Sequence, residues 1–457
     1  MNLYNTLSKQ IEEIKPQDPP EVTIYTCGPT VYDYPHIGNW FTFIRYDLLA
    51  RSLAQAGYKP KWVINITDVG HLTSDADEGE DKLEKQAHKE GKDAWSIASY
   101  YGDYFKSSLE RLNFLTPWKL PKATEHIAEQ IKFIKALENK GYTYRTSDGI
   151  YYDTAKFPRY SDFAHLDLDE QQAGKRVSIN PEKRQPTDFA LWKFSPTNKQ
   201  RDMEWDSPWD KGFPGWHIEC SSMCLKYLGE TVDIHAGGID HIPVHHTNEI
   251  AQSEALTGKP LANIWMHTNH IFINDQKIAK SLGNTITLEE IENHGYSLET
   301  LRLHVLESHY RSQSKFSWES LEAAKNRLLR FKNFAALRYQ MDGQEKAHLD
   351  GFVEAMQNDL NSPLALSKLE DFISSLEGKS INSFSIIDAI NIVDQIFGLK
   401  LSDVPDIPKE QKDIIKQRDN ARNARDFTKA DELRSVLAKQ NIGLNDQPTG
   451  STWYYLS

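Results

Sequence analysis

Three things are scarce in this chain: cysteine, uninterrupted apolar sequence and positive charge. Its 457 residues include three cysteines, at 27, 220 and 224. So few, and an odd number, exclude a disulfide framework and leave metal ligation or burial in a reducing compartment. No run approaches the roughly 18 apolar residues that a membrane-spanning helix requires. Met1 to Lys15 alternate polar and apolar groups without the apolar core of a signal peptide. The expectation is a soluble, cytoplasmic protein with no membrane partner. Lys and Arg number 53 against 65 Asp and Glu, a formal net charge of -12. Non-specific nucleic-acid affinity comes from phosphate neutralisation, so loose polyanion binding is excluded and any RNA partner must meet local basic patches.

At roughly 150 residues per domain the length allows two to four domains with a large buried core. Val22 to Thr26 alternates as a strand, Phe41 to Ala56 carries apolar residues at helical spacing up to a turn at Gly57, and Lys61 to Ile66 reads as a second strand. That order predicts a βαβ unit of an α/β, doubly wound parallel sheet of Rossmann-like type, although no Gly-x-Gly-x-x-Gly fingerprint accompanies it. From 121 to 214 short strands, helices and proline-punctuated loops suggest a domain inserted between two halves of the sheet, 1–120 and 215–314. Residues 315–402 carry apolar positions three and four apart, from Trp318 through Ala335 and again from Leu366 to Leu376, and read as a helical bundle. Asp403-Val-Pro-Asp406 marks a linker into a small basic domain, 403–457.

Chemistry-bearing residues fall in three places. His245 and Glu249 stand four apart, on one face of a helix and within reach of a single ion. Cys27 follows the first strand, and Cys220 would have to be brought in by folding. Without a local Cys-x-x-Cys knuckle, buried cysteines and a surface His/Glu pair fit the spacing equally well. Cys224 reads as a core thiol, and His246 is expected to point elsewhere on the helix. Pro35-His36-Ile-Gly38-Asn39 lies between strand and helix, where free N–H groups and the helix dipole attract phosphate; Gly38 permits close approach, and His36 and Asn39 can donate to phosphate oxygens. Lys277 and Lys280, three apart ahead of Gly283, suit a mobile loop that closes on polyphosphate, or else a solvated lysine loop. His71 with Asp75, Asp77 and Glu78 reads as a solvated polar loop.

Taken in order, Tyr25-Thr-Cys-Gly-Pro-Thr-Val-Tyr-Asp33, Pro35 to Asn39, Gly215-Trp-His-Ile-Glu-Cys220, His245-His-Thr-Asn-Glu-Ile-Ala-Gln252 and Lys277 to Asn284 resemble the cysteinyl-tRNA synthetase family of class I aminoacyl-tRNA synthetases. The resemblance spans nearly the whole chain. It implies that Cys27, Cys220, His245 and Glu249 ligate one Zn²⁺, that Gly237, Gly238 and Asp240 cradle the ATP ribose, and that Trp216 walls the amino-acid pocket. It also implies that Thr30 and His36 lie near cysteine and ATP, that Lys280 meets a nucleotide phosphate, and that Mg²⁺ arrives with ATP. The implied partners are L-cysteine, ATP and tRNA(Cys), the implied state a monomer. Residues 403–457, with Asp426-Phe-Thr-Lys-Ala-Asp-Glu-Leu-Arg434, resemble the family's anticodon-binding domain; Phe427, Trp453 and Tyr454 are candidates to stack on bases.

Three departures accompany the likeness. Asn39 stands where the commonest signature has a second histidine, Ile278-Ala279 interrupts the usual lysine loop, and an acidic stretch near 70–80 precedes Asp81-Lys82. The alternative implied by relatives is an ATP-dependent cysteine ligase acting on a small amino-sugar acceptor. Such an acceptor gives the long carboxy-terminal extension no task.

Overall fold

The computed structural model describes residues 1–70, 81–164, 180–196, 201–273, 276–277, 285–341, 345–346, 349–376, 384–447 and 450–457. The chain divides into two compact units, Met1–Leu288 with Tyr310–Ser314, and Glu289–His309 with Lys315–Ser457.

The first unit is built on a four-stranded parallel sheet. Strand β1 is Glu21–Thr26, helix α1 Ile37–Gln55 and strand β2 Lys59–Ile64, so the predicted βαβ unit is present with boundaries shifted by a few residues. Beyond lie helices α2 (Lys82–Glu90), α3 (Ala94–Arg111) and α4 (Ile127–Asn139). An antiparallel sheet follows, made of β3 (Thr143–Arg145), β4 (Gly149–Tyr152), β5 (Phe189–Phe194) and β6 (Gly212–Pro214). Helix α5 (Trp216–Leu228), strand β7 (Val232–Gly238), helix α6 (Thr247–Thr257) and strand β8 (Ala262–Thr268) then return to the parallel sheet.

Its strand order is β8-β7-β1-β2, with every pairing parallel. Trp62, Val63 and Ile64 of β2 and residues 232–237 of β7 are all buried, as expected of strands covered on both faces. The core joins Tyr25, Val63, Ile134, Trp192, Met223 and Trp265, so the antiparallel sheet shares apolar packing with the parallel one. The strand order reverses at β1: its crossover leads to β2 on one side, while β7 and then β8 are added on the other. Such a switch point opens a crevice at the carboxyl ends of the strands.

The second unit is mainly helical: α7 (Leu298–Leu306), α8 (Trp318–Ala336), α9 (Ser362–Leu376), α10 (Ile387–Phe397), α11 (Lys409–Asn423) and α12 (Phe427–Lys439), closed by an antiparallel pair β9 (Ile442–Gln447) and β10 (Gly450–Tyr455). Trp453 is buried in that pair, which makes it a core residue and removes it from the candidates for base stacking. Arg418, one of the cations of the basic segment 403–457, does not present its charge to solvent: it is 3 % exposed, bonded to Asp446 and donating to Ser451 Oγ at 2.7 Å. Among the described residues no helix is long and apolar enough to cross a membrane.

Candidate active site and metal centre

The crevice between β1 and β7 holds a cavity of about 360 Å³. One rim is formed where the loops after β1 and β2 are stitched together. The Cys27 amide donates to the Ala236 carbonyl at 3.2 Å, which keeps the residue in register with β7. The Gly28 amide donates to Asn65 Oδ1 at 2.8 Å, and a Cβ on Gly28 would lie 1.6 Å from the Asn65 carbonyl oxygen, so only glycine fits. Thr30 and Thr67 form a parallel bridge, with Val31 N–H donating to the Thr67 carbonyl at 3.1 Å.

The opposite rim is the amino end of α1. His36 is its N-cap, and the His36 amide donates to Asn39 Oδ1 at 3.0 Å. That bond fixes the Asn39 carboxamide with its oxygen used, leaving the NH₂ as its donor toward the cavity. Gly38 lines the cavity between them.

Cys220 enters from α5. Trp216 and Cys220 are four apart on that helix, and both face the cavity. His245 and Glu249 come from a π-helical turn, Ile242–His246, that runs directly into α6. His245 Nε2 is 3.0 Å from Glu249 Oε1, and the Trp216 ring centroid is 4.4 Å from that of His245. The ligand atoms of Cys27, Cys220, His245 and Glu249 all lie within 4.8 Å of one another, and all four residues are buried. Two sulfurs, one imidazole and one carboxylate form a donor set suited to Zn²⁺.

The neighbouring groups shift one another's protonation in opposite directions. Burial opposes charge on His245, but Glu249 and Cys220 outweigh it and raise its pKa to about 10. Burial likewise pushes the Glu249 carboxyl up, yet His235 and His245 prevail and hold it well below the usual carboxylate range. A hydrogen bond from Cys27 draws Cys220 down to about 7 against its burial, while burial and that same bond push Cys27 up. Cys224, raised by burial, stays a neutral core thiol.

Of the nucleotide-binding candidates, Gly238, the last residue of β7, and Asp240 just beyond it line the cavity. Gly237 does not. Its absent side chain makes room for His246: a Cβ there would meet His246 Cε1 at 2.3 Å. Lys277 lies in the short strand Gln276–Lys277, paired with Ile271–Ile273, while Lys280 and the acidic stretch with His71, Asp75, Asp77 and Glu78 lie outside the described residues.

The expectation that His246 points elsewhere is overturned. Its Nε2 stands 3.3 Å from Cys27 Sγ, because the π turn rotates the residue inward. Sequence reasoning also missed His217, whose Nδ1 is 2.9 Å from His245 Nδ1, and His235, whose Nε2 is 3.0 Å from Glu249 Oε2. A usable signal was present: seven of the 16 histidines fall between residues 217 and 270. Asn65 and Thr67, read only as the end of a strand, line the cavity.

Comparison with known proteins agrees with this architecture. The family profile described as tRNA synthetases class I (C) catalytic domain matches residues 13–326. A cysteine–tRNA ligase of Treponema denticola is 41% identical over 490 residues, covering 99% of each chain. Cysteine–tRNA ligase 1 of Burkholderia lata is 44% identical over 454 residues, covering 98% of this chain and 95% of the relative. Among solved structures, the methionyl-tRNA synthetase of Mycobacterium tuberculosis in complex with methionyl-adenylate shares the fold, with a TM-score of 0.58 at 13% identity over 84% of this chain and 88% of that one. On this evidence the chain belongs to the class I tRNA synthetases, in the family of the cysteine–tRNA ligases.

Proposed function

We propose that the chain activates L-cysteine with ATP and transfers it to tRNA(Cys). The observation that carries this reading is the junction of a thiol-rich quartet with a helix amino end across one cavity. Bound by Cys27, Cys220, His245 and Glu249, Zn²⁺ would supply a soft Lewis acid for a substrate thiolate, a bond that the hydroxyl of serine cannot match. Discrimination of about 10⁴ corresponds to about 5.5 kcal/mol, which such a bond can provide without an editing site.

Trp216 closes the side-chain end of the cavity, so the amino acid's carboxylate is directed toward the amino end of α1. There it attacks the α-phosphate of ATP in line; a P–O bond forms, pyrophosphate leaves and cysteinyl-adenylate remains. His36, the Asn39 amide, the helix dipole and the lysines 277 and 280 stabilise charge on the phosphate oxygens, with Mg²⁺ entering on ATP. Gly238 and Asp240, which line the same cavity as Thr30, are suited to the ribose. A terminal ribose hydroxyl of the tRNA then attacks the adenylate carbonyl and AMP departs.

For RNA, α11, α12 and the turn between them expose Lys416, Arg422, Arg425 and Lys429 together with Phe427, which is 60% exposed and available to stack on a base. We further assign 121–214 as a connective insertion, 315–402 as a bundle and 403–457 as the anticodon-binding part of a cytoplasmic monomer. The test is incorporation of labelled cysteine and serine into unfractionated bacterial tRNA with ATP and Mg²⁺, alongside pyrophosphate release. Cysteine-only charging is expected. Pyrophosphate release without charged tRNA would instead indicate another acceptor.

A further inference from the structure

Behind the cavity, ligating groups continue past the quartet that faces it. Cys27, His235, His246 and Glu249 form a second set whose ligand atoms also lie within 4.8 Å of one another, and all four are buried. The two sets share Cys27 and Glu249. Glu249 divides its carboxylate between them: Oε1 is 3.0 Å from His245 Nε2, and Oε2 is 3.0 Å from His235 Nε2. On the sulfur side, Cys27 Sγ is 3.3 Å from His246 Nε2.

One imidazole of the inner set, His246, also has the outer support that metal-bound imidazoles use. His246 Nδ1 is 2.8 Å from His267 Nε2, and His267 Nδ1 is 2.8 Å from Thr6 Oγ1. That chain fixes which His246 nitrogen faces the sulfur, as outer partners do at metal sites. Access separates the two sets. Cys27, Cys220 and His245 of the outer one line the cavity, whereas Cys27 alone of the inner one does.

We propose that Cys27, His235, His246 and Glu249 are a second, closed seat for a zinc-type ion, adjacent to the substrate-facing seat. One thiolate, two imidazoles and a carboxylate supply four ligands, and since only Cys27 among these residues lines the cavity, a substrate thiolate has no approach to an ion held there. Because both seats need Cys27 and Glu249, they are alternatives for a single ion. The outer seat presents the ion to a thiolate in the cavity; the inner seat retains it when Cys220 or His245 is unavailable. This inference rests on the zinc reading of the outer quartet.

Metal content separates the two ideas. Zinc bound per chain is measured by mass spectrometry after equilibration with Zn²⁺, with circular dichroism as the folding control. The wild type is expected to bind one ion. C220S/H245Q lacks both ligands unique to the outer seat and is expected to keep one ion, and adding H246Q is expected to remove it. A folded but zinc-free C220S/H245Q beside a zinc-binding wild type overturns the second seat alone. A zinc-free wild type overturns the outer reading, and the inner one with it. Should the double variant fail to fold, Cys220→Ala loaded with Co²⁺ gives the answer by absorption. Its spectrum is expected to stay unchanged on adding L-cysteine, since an ion in the inner seat has no open face; a new thiolate-to-cobalt band contradicts the proposal.

Discussion

At the scale of single residues, Glu249 is the pivot of the site. It is fully buried between His235 and His245, and its carboxyl is held anionic by them. Removing one partner of a buried ion pair strands the other, so Glu249→Ala is expected to cost about 3 kcal/mol in the metal-free protein, read from the shift of its urea midpoint. It should also abolish zinc binding, because both ligand sets use this residue. How legible such residues were in the sequence depended on local spacing. His245 and Glu249 are four apart and could be paired from the sequence, and Cys27 could be placed at a strand end. Joining Cys27 and Cys220 to them as zinc ligands came from the family resemblance, since no local spacing links residues so far apart. His246 was misread because helical geometry was assumed where the backbone makes a π turn, and nothing in Ile242–His246 signals that turn locally. His217 and His235 touch the site only through tertiary contacts.

Elements position these residues by close backbone approach. The loops after β1 and β2 meet at Gly28, where any side chain would collide with the Asn65 carbonyl. Gly28→Ala must push the loops apart and is expected to cost about 2 kcal/mol, with weaker zinc binding because Cys27 moves with its neighbour; denaturant titration and metal content check both. The βαβ unit was readable because its period switches from strand to helix and back over about forty residues, well above the noise of any one position. The terminal hairpin was not read as such: its alternation is confined to two six-residue strands, and the basic residues before it suggested a helix, either tracking phosphates on one face or merely solvated. Arg418 illustrates the consequence, since it is itself buried and its charge is taken up by Asp446 of the hairpin. Arg418→Ala should destabilise the second unit by about 1.5 kcal/mol through its lost charge-assisted hydrogen bonds, whereas Lys416→Ala, exposed two residues away on the same helix, should change it by less than about 0.5 kcal/mol. Thermal unfolding of the two variants distinguishes buried from exposed charge.

For the whole molecule, a net charge of -12 means that RNA binding depends on where the cations are exposed, not on their number. Lys416→Glu combined with Arg425→Glu is expected to lower kcat/KM for tRNA about tenfold, about 1.4 kcal/mol, and to make charging less sensitive to salt. Cysteine-dependent ATP–pyrophosphate exchange should be unaffected, because both residues lie in the second unit while the cavity lies in the first. The lysine loop remains a proposal at this scale as well, since Lys280 lies outside the described residues. The central claim is that the Cys27–Cys220–His245–Glu249 quartet selects cysteine through a metal–thiolate bond. Its most direct test is ATP–pyrophosphate exchange with cysteine and with serine, before metal removal, after removal with folding verified, and after Zn²⁺ is restored. The account predicts exchange with cysteine only, lost with the metal and recovered with zinc. Full cysteine-dependent exchange by folded, metal-free protein would contradict it.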